Sequence, residues 1–251
     1  MIPGDLLRCL DPVATAEAAG IEPFAWQGRA LTTPGNAIWA CGRQVGKSTA
    51  AALVAIHQSV YQPGSLTVLL SPSQRQSSYL LSRVAALYRT FGRPVSLDSD
   101  TTAAIAMGNG SKVISLPGAS EVSVRGFSAD LLIVDEAARL EEATWIAARP
   151  IVATGGRVLL LSTPAGRRGF MWELWDSGDP AWSRFTVKTE EVPTVSAAFL
   201  AQERRELGER FYLAEYEAAW SDTAGGRLFD TEQLMTLFNP AFEAWQVEET
   251  P

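Results

Sequence analysis

The chain has 251 residues, 47% of them hydrophobic and 20% charged, with a formal net charge of −7. That length supports one substantial domain with a small appendage, and the proportions are those of an ordinary folded protein. No apolar run approaches the ~20 residues of a membrane span, and two cysteines with one histidine supply neither a disulfide framework nor a zinc pattern. The acidic balance excludes a surface that binds nucleic acid throughout and leaves only a local basic strip for such contacts. The N-terminus lacks a basic region followed by an apolar stretch, so a reducing, cytoplasmic setting is expected.

Residues 12–31 have the pattern of a helical region that ends at the Pro34–Gly35 break. Residues 37–41 read as a buried strand and 47–61 as a helix. Between them runs Cys41–Gly42–Arg43–Gln44–Val45–Gly46–Lys47–Ser48–Thr49. A strand feeding a Gly-containing turn and then Gly-Lys-Ser at a helix start is what a nucleoside triphosphate requires. Backbone N–H groups of the turn can point at phosphate oxygens, glycines allow close approach, and the helix presents its positive end. Lys47 would reach the β- and γ-phosphates, and the Ser48 hydroxyl would ligate Mg²⁺. The general pattern places a glycine where Cys41 stands; here Gly42 follows one position later.

Leu66–Leu70 is a second short apolar run, closed by Ser71–Pro72. Residues 74–91 have helical spacing, with Tyr79, Leu80, Val84, Leu87 and Tyr88 forming a stripe. Strand-like pieces follow at 112–116, 121–125, 131–134 and 157–161, and 183–188 alternates like a last strand. Strands alternating with helices predict a largely parallel α/β sheet covered on both faces. After residue 193 only helices are expected, over 199–220 and 231–238, before a polar tail at 246–251. The predicted organisation is a core over 1–193 and a small helical subdomain over 194–251.

Leu131–Val134 delivers Asp135 and Glu136 to the C-terminal end of a strand, where open α/β sheets bind ligands. Asp135 can hold Mg²⁺, and Glu136 can orient and deprotonate a water. The strand at 157–161 ends in Ser162–Thr163–Pro164, either a sensor of the γ-phosphate or a local helix cap. Upstream, the amide of Gln27 can pair with an adenine edge while Trp26 packs on the base; equally, Phe24 and Trp26 are core residues and Gln27 a surface amide. His57, Cys41, Trp172 and Trp175 read as packing residues, and the pairs Arg167–Arg168 and Arg204–Arg205 as solvated surface.

Taken together, Cys-Gly-Arg-Gln-Val-Gly-Lys-Ser, Ile-Val-Asp-Glu-Ala-Ala and Leu-Leu-Ser-Thr-Pro resemble the large terminase subunit of tailed phages, as do Ser71–Gln76 and Ser123–Gly126. The resemblance implies an additional-strand, RecA-like P-loop ATPase with a helical lid. It implies ATP as substrate with Mg²⁺ and double-stranded DNA as cargo. The portal protein and the small terminase subunit are the implied partners, in a homo-oligomeric ring, commonly a pentamer, though the isolated domain can be a monomer. It accounts for the displaced glycine and makes Arg43 a candidate γ-phosphate ligand in cis. Arg125, eleven residues before Glu136, matches the place from which a neighbouring subunit is thought to supply an arginine finger. Gln27 would be the adenine-side glutamine and Thr163 part of a coupling motif. Complete members carry a nuclease domain with an acidic metal cluster. Gly225–Phe229 resembles the run-in to it, and no DNA cleavage is expected of this polypeptide. The expected location is the cytoplasm of an infected bacterium, transiently at the procapsid portal. A helicase-type translocase and a nucleotide-dependent scaffold with negligible turnover are the alternatives.

Overall fold

The structure, a computed structural model, describes residues 3–117, 126–152 and 155–221. Three short helices open it: α1 (Pro3–Leu10), α2 (Pro12–Ala18) and α3 (Ala25–Thr32). Asp11 caps α2 by accepting from the Val13 N–H at 2.9 Å, with Pro12 at the first helical position. The helical region predicted over 12–31 is therefore two helices. The break follows Ala18, where Gly20 takes φ +75° and turns the chain.

From here strands and helices alternate. The strands are β1 (Asn36–Cys41), β2 (Leu66–Ser71), β3 (Leu97–Asp100), β4 (Ala104–Met107), β5 (Lys112–Pro117), β6 (Leu131–Asp135), β7 (Arg157–Ser162) and β8 (Trp182–Val187). They form one sheet in the order β3-β4-β5-β2-β6-β7-β1-β8. Pairing is parallel from β5 through to β8, and antiparallel for β3–β4 and β4–β5. The antiparallel hairpin escaped the sequence reading because Leu97–Asp98–Ser99–Asp100 is polar and mostly exposed, with no alternation to detect.

The helices are α4 (Lys47–Tyr61), α5 (Gln74–Thr90), α6 (Glu142–Ala148), α7 (Gly169–Asp176), α8 (Ala197–Leu207) and α9 (Glu209–Glu215). Successive strand residues point to opposite faces, and both faces are apolar, as a doubly covered parallel sheet requires. Trp39, Leu69, Leu131, Ile133, Leu159 and Leu161 pack with α4 and α5 on one face. Ile38, Val68, Leu70, Leu132, Val134 and Leu160 pack with Trp145, Phe170 and Met171 on the other.

The predicted stripe on α5 needs one correction. Leu80, Val84, Leu87 and Tyr88 are buried, but Tyr79 is 58% exposed and lies beneath the Arg83 guanidinium. The helical stretch predicted over 199–220 is α8 and α9, separated at Gly208 with φ +75°. The candidate strand at 121–125, the helix at 231–238 and the tail at 246–251 lie outside the described residues.

His57 bonds to the carbonyls of Arg8 and Cys9 at 3.2 and 3.1 Å, and Trp172 and Trp175 both pack on Trp220. Burial pushes the Cys41 thiol up to about 12. Replacing Ile133, fully buried in central strand β6, by Ala should cost about 2–5 kcal/mol in urea unfolding. Tyr79→Ala should cost under about 1 kcal/mol despite the larger side chain lost.

Candidate active site

Strand β1 ends at Cys41 and helix α4 begins at Lys47, leaving five residues to form a loop. Gly46 takes φ +83° and Gln44, without glycine's freedom, φ +59°. The four consecutive carbonyls of this loop each accept a hydrogen bond from outside it. Thr189 Oγ1 donates to Arg43 O at 2.8 Å and Thr194 Oγ1 to Gln44 O at 2.8 Å. Trp26 Nε1 donates to Val45 O at 3.1 Å and Gln27 Nε2 to Gly46 O at 3.1 Å. The N–H groups of Gln44, Val45 and Gly46 find no acceptor among the described residues. With its carbonyls tied outward and its N–H groups free at a helix start, the loop is an anion cradle.

Trp26 is a core residue, one of the two readings its sequence allowed, and Gln27 is buried rather than a surface amide. Both are buried, Trp26 edge-on to Trp39, and the Gln27 side-chain Oε1 accepts from the Phe24 N–H at 2.9 Å. They hold the loop's backbone, and neither presents a free face to a base. The glycines also serve a purpose other than phosphate approach. A Cβ on Gly42 would lie 2.5 Å from Thr189 Oγ1 and 2.6 Å from the Tyr216 carbonyl, and one on Gly46 would lie 2.6 Å from Gln27 Nε2. Both glycines admit the groups that clamp the loop.

Across from the loop, β6 ends in Asp135, 8% exposed, whose Oδ1 accepts from the Glu136 N–H at 3.0 Å. Burial, reinforced by the neighbouring Glu136 charge and partly offset by Lys47, raises the Asp135 carboxyl to about 6. Glu136 sits in the left-handed region at φ +54°, a strained conformation of the kind found at functional turns. Its Oε1 lies 3.9 Å from Lys47 Nζ. Its Oε2 accepts from Arg139 Nη1 at 2.8 Å and from Ser162 Oγ at 3.2 Å. Arg139 also donates to Thr163 Oγ1 at 2.8 Å and, through Nη2, to Glu215 Oε1 at 3.0 Å. The other Glu215 oxygen takes the Arg43 Nε–H at 2.6 Å, which with the adjacent charge holds that guanidinium above its ordinary pKa.

These groups line a cleft of about 390 Å³ bounded by Arg43, Gln44, Lys47, Gln76, Glu136, Arg139, Thr163 and Glu215. Among residues predicted for the site, Arg43, Gln44, Lys47, Glu136 and Thr163 therefore meet. Ser162 and Asp135 lie beside it, Val45 is buried in the core, and Ser48 stands in the first turn of α4. The Thr49 hydroxyl accepts from Arg83 on α5 at 2.7 Å and is engaged away from the cleft. Arg125 lies outside the described residues. Sequence reasoning missed Arg139 and Glu215. Arg139 carried a signal in its spacing of three from Glu136; Glu215 carried none.

Mg²⁺ keeps several waters and takes one or two carboxylates with phosphate oxygens. The Asp135 carboxylate beside the first turn of α4, which carries Ser48, fits that donor set. No group of three or more His, Cys, Asp or Glu that could hold a metal gathers anywhere among the described residues.

One strand, β7, separates the phosphate-loop strand β1 from the carboxylate-bearing β6. That insertion, with loop and carboxylate pair at the same sheet edge, defines an additional-strand P-loop fold. The chain matches the family described as "Terminase large subunit, T4likevirus-type, N-terminal" over residues 38–236, and it belongs to that family. It is 26% identical over 203 residues to the terminase large subunit of Escherichia phage T5, covering 77% of this chain and 46% of that protein. It thus spans about half the length of that curated relative. The large terminase ATPase domain of Thermus phage P74-26 superposes with a TM-score of 0.74 at 20% identity, covering 82% of this chain and 96% of that one. The large terminase of a second thermophilic bacteriophage, in complex with ADP, gives 0.69 at 14% identity, covering 80% and 54%.

The raised Asp135 pKa has a pH signature. The unfolded carboxyl titrates near 4 and the folded one at about 6. Between these values the folded state binds more protons, so stability falls as pH rises through the window and the penalty is complete above it. Asp135→Asn should therefore stabilise the ligand-free protein by up to about 3 kcal/mol at pH 7.5 and by much less at pH 4.5, read from urea unfolding at both. An equal gain at both values would contradict the assigned titration.

Proposed function

We propose that this chain hydrolyses ATP as the motor domain of a phage large terminase and moves double-stranded DNA into a procapsid. The observation that carries the reading is the phosphate loop facing Glu136 across one cleft, with Lys47 3.9 Å from that carboxylate. Family membership supports a nucleotide in that cleft, as do the ADP and ATP-gamma-S complexes of the second thermophilic phage's large terminase.

In this mechanism the N–H groups of the loop and Lys47 hold the β- and γ-phosphates, and Arg43 reaches the γ-phosphate from within the loop. Asp135 and Ser48 would hold Mg²⁺, which would supply charge neutralisation on the phosphate oxygens. Glu136 accepts a proton from the water that attacks the γ-phosphorus. The bond to the β–γ bridging oxygen breaks, its electron pair leaving with ADP, and inorganic phosphate is released. Ser162 and Thr163, joined to Glu136 directly and through Arg139, are placed to report the phosphate's departure. Arg125 of a neighbouring subunit completes the site in a ring, commonly a pentamer, docked on the portal protein with the small terminase subunit. The setting is the cytoplasm of an infected bacterium. DNA cleavage is assigned to a separate nuclease portion.

Glu136→Gln should lower steady-state ATP turnover by about 10²-fold or more while nucleotide affinity stays within a few-fold. Turnover at the wild-type rate would remove Glu136 as the base. Turnover per subunit should rise with protein concentration and with linear duplex DNA. Arg125→Ala should abolish that rise; a concentration-independent rate in both proteins would rule out completion in trans.

A further inference from the structure

Helix α5 starts at Gln74, with Pro72 and Ser73 between it and the end of β2, and its first turn lines the cleft through Gln76. Strand β2 lies next to β6 on the side away from β1. Gln76 therefore enters beyond Glu136 as viewed from the phosphate loop, at the end of the cleft where a terminal phosphate would lie. Its amide has a fixed sense. The Ser73 hydroxyl caps α5 by accepting from the Gln76 N–H and gives its own hydrogen to Gln76 Oε1 at 2.9 Å. With its oxygen occupied, the amide is left with Nε2, two N–H donors that have no acceptor among the described residues. The cationic donors of the same cleft are already engaged: Lys47 faces Glu136 at 3.9 Å, Arg139 bonds Glu136 and Arg43 bonds Glu215.

We propose that Gln76 is a direct ligand of the terminal phosphate, donating from Nε2 to one of its oxygens and thereby favouring triphosphate over diphosphate. This rests on the cleft being a nucleotide site. An ionised phosphate oxygen only accepts, so it matches a group that presents donors and no lone pair. A neutral donor with no partner joins the phosphate without breaking an ion pair, and a hydrogen bond to a charged acceptor is stronger than one between neutral groups. The phosphate loop follows β1, three strands from β2. A contact from α5 thus falls on the terminal phosphate and is absent with a diphosphate. Ser73 and Gln76 also form a helix-capping pair, and the two roles respond oppositely to substitution. Gln76→Glu keeps the cap and suits the positive end of a helix, but it exchanges the donor for an acceptor. Gln76→Ala removes cap and donor together.

The test is calorimetric titration of wild type, Gln76→Ala and Gln76→Glu with ATP-gamma-S and with ADP, each with Mg²⁺, alongside urea unfolding of all three. Affinity for ATP-gamma-S should fall about tenfold in Gln76→Ala and about 50-fold or more in Gln76→Glu, while ADP stays within about twofold in both. Gln76→Glu should unfold at no lower urea concentration than wild type, so its lost triphosphate affinity does not come from a damaged helix. It also carries the test if Gln76→Ala fails to fold. Gln76→Glu that binds ATP-gamma-S as well as wild type, or better than Gln76→Ala, would overturn the proposal and leave Gln76 a helix cap. Equal losses for both nucleotides, or unaltered selectivity in a folded Gln76→Ala, would also overturn it. Wild-type protein that binds neither nucleotide overturns the nucleotide reading itself and the ligand with it, whereas wild-type binding with any of the preceding results overturns the ligand alone.

Discussion

The site depends on the outward tethering of four consecutive carbonyls in the phosphate loop. A peptide chain can present a run of N–H groups to an anion only if the intervening carbonyls face elsewhere and are satisfied there. Here each has a named donor: Thr189 for Arg43, Thr194 for Gln44, Trp26 for Val45 and Gln27 for Gly46. Each bond is worth about 1 kcal/mol net, so four together exceed the roughly 1–3 kcal/mol cost of holding Gln44 in the left-handed region. The donors come from opposite ends of the chain. The loop's shape is consequently a property of the assembled domain and not of the glycine motif alone.

The same logic governs the charges. Arg43, Lys47 and Arg139 converge on one cleft with Glu136 and Glu215, and the two carboxylates are shared among the three cations. Glu136 is held between Lys47 and Arg139, with the Ser162 hydroxyl as a third partner, so its position is fixed by groups from α4, β7 and the turn after β6. Such pairing holds a carboxylate still in the presence of a polyanion that would otherwise repel it. Asp135, one residue earlier, is treated oppositely. It is buried with one hydrogen bond to the following N–H, and its carboxyl rises to about 6. Adjacent acids at one strand end thus have different surroundings, Glu136 paired with two cations and Asp135 buried with a single hydrogen bond.

The central strands and the carboxylate pair at the end of β6 were legible because their signals are local. Leu131–Val134 is a continuous apolar run that can only be a doubly covered strand, and the Asp-Glu pair at its end follows in sequence. The hairpin Leu97–Met107 was not legible, since its first strand is polar and lies at the sheet edge. Tyr79 was misplaced because a helical stripe admits one neighbour too many; its hydroxyl and ring serve Arg83 at the surface instead. At the site, Lys47, Ser48, Asp135 and Glu136 follow from motif spacing. Gln27 and Trp26 were read as adenine-side groups or as surface and core residues, whereas their side chains bond the loop's carbonyls, a contact that no pattern of residue types encodes. Glu215 was invisible for a plainer reason: its partners are 172 and 76 residues away.

Glu215, Thr189 and Thr194, which sequence reading missed, share a direction, since they join the phosphate loop to the segment after β8. The displaced glycine belongs with them. Position 42 must lack a side chain because the Tyr216 carbonyl and Thr189 pass within 2.6 Å of where its Cβ would be. A general phosphate loop places its first glycine for the nucleotide; this one places it for the C-terminal helices. The Gly42 N–H bonds to Val187 and the Arg43 N–H to Glu215, so the loop's first two residues are anchored in the sheet's last strand and in α9 beyond it. One backbone hydrogen bond and the Glu215 carboxylate thus tie the phosphate loop directly to α9, with no longer network required.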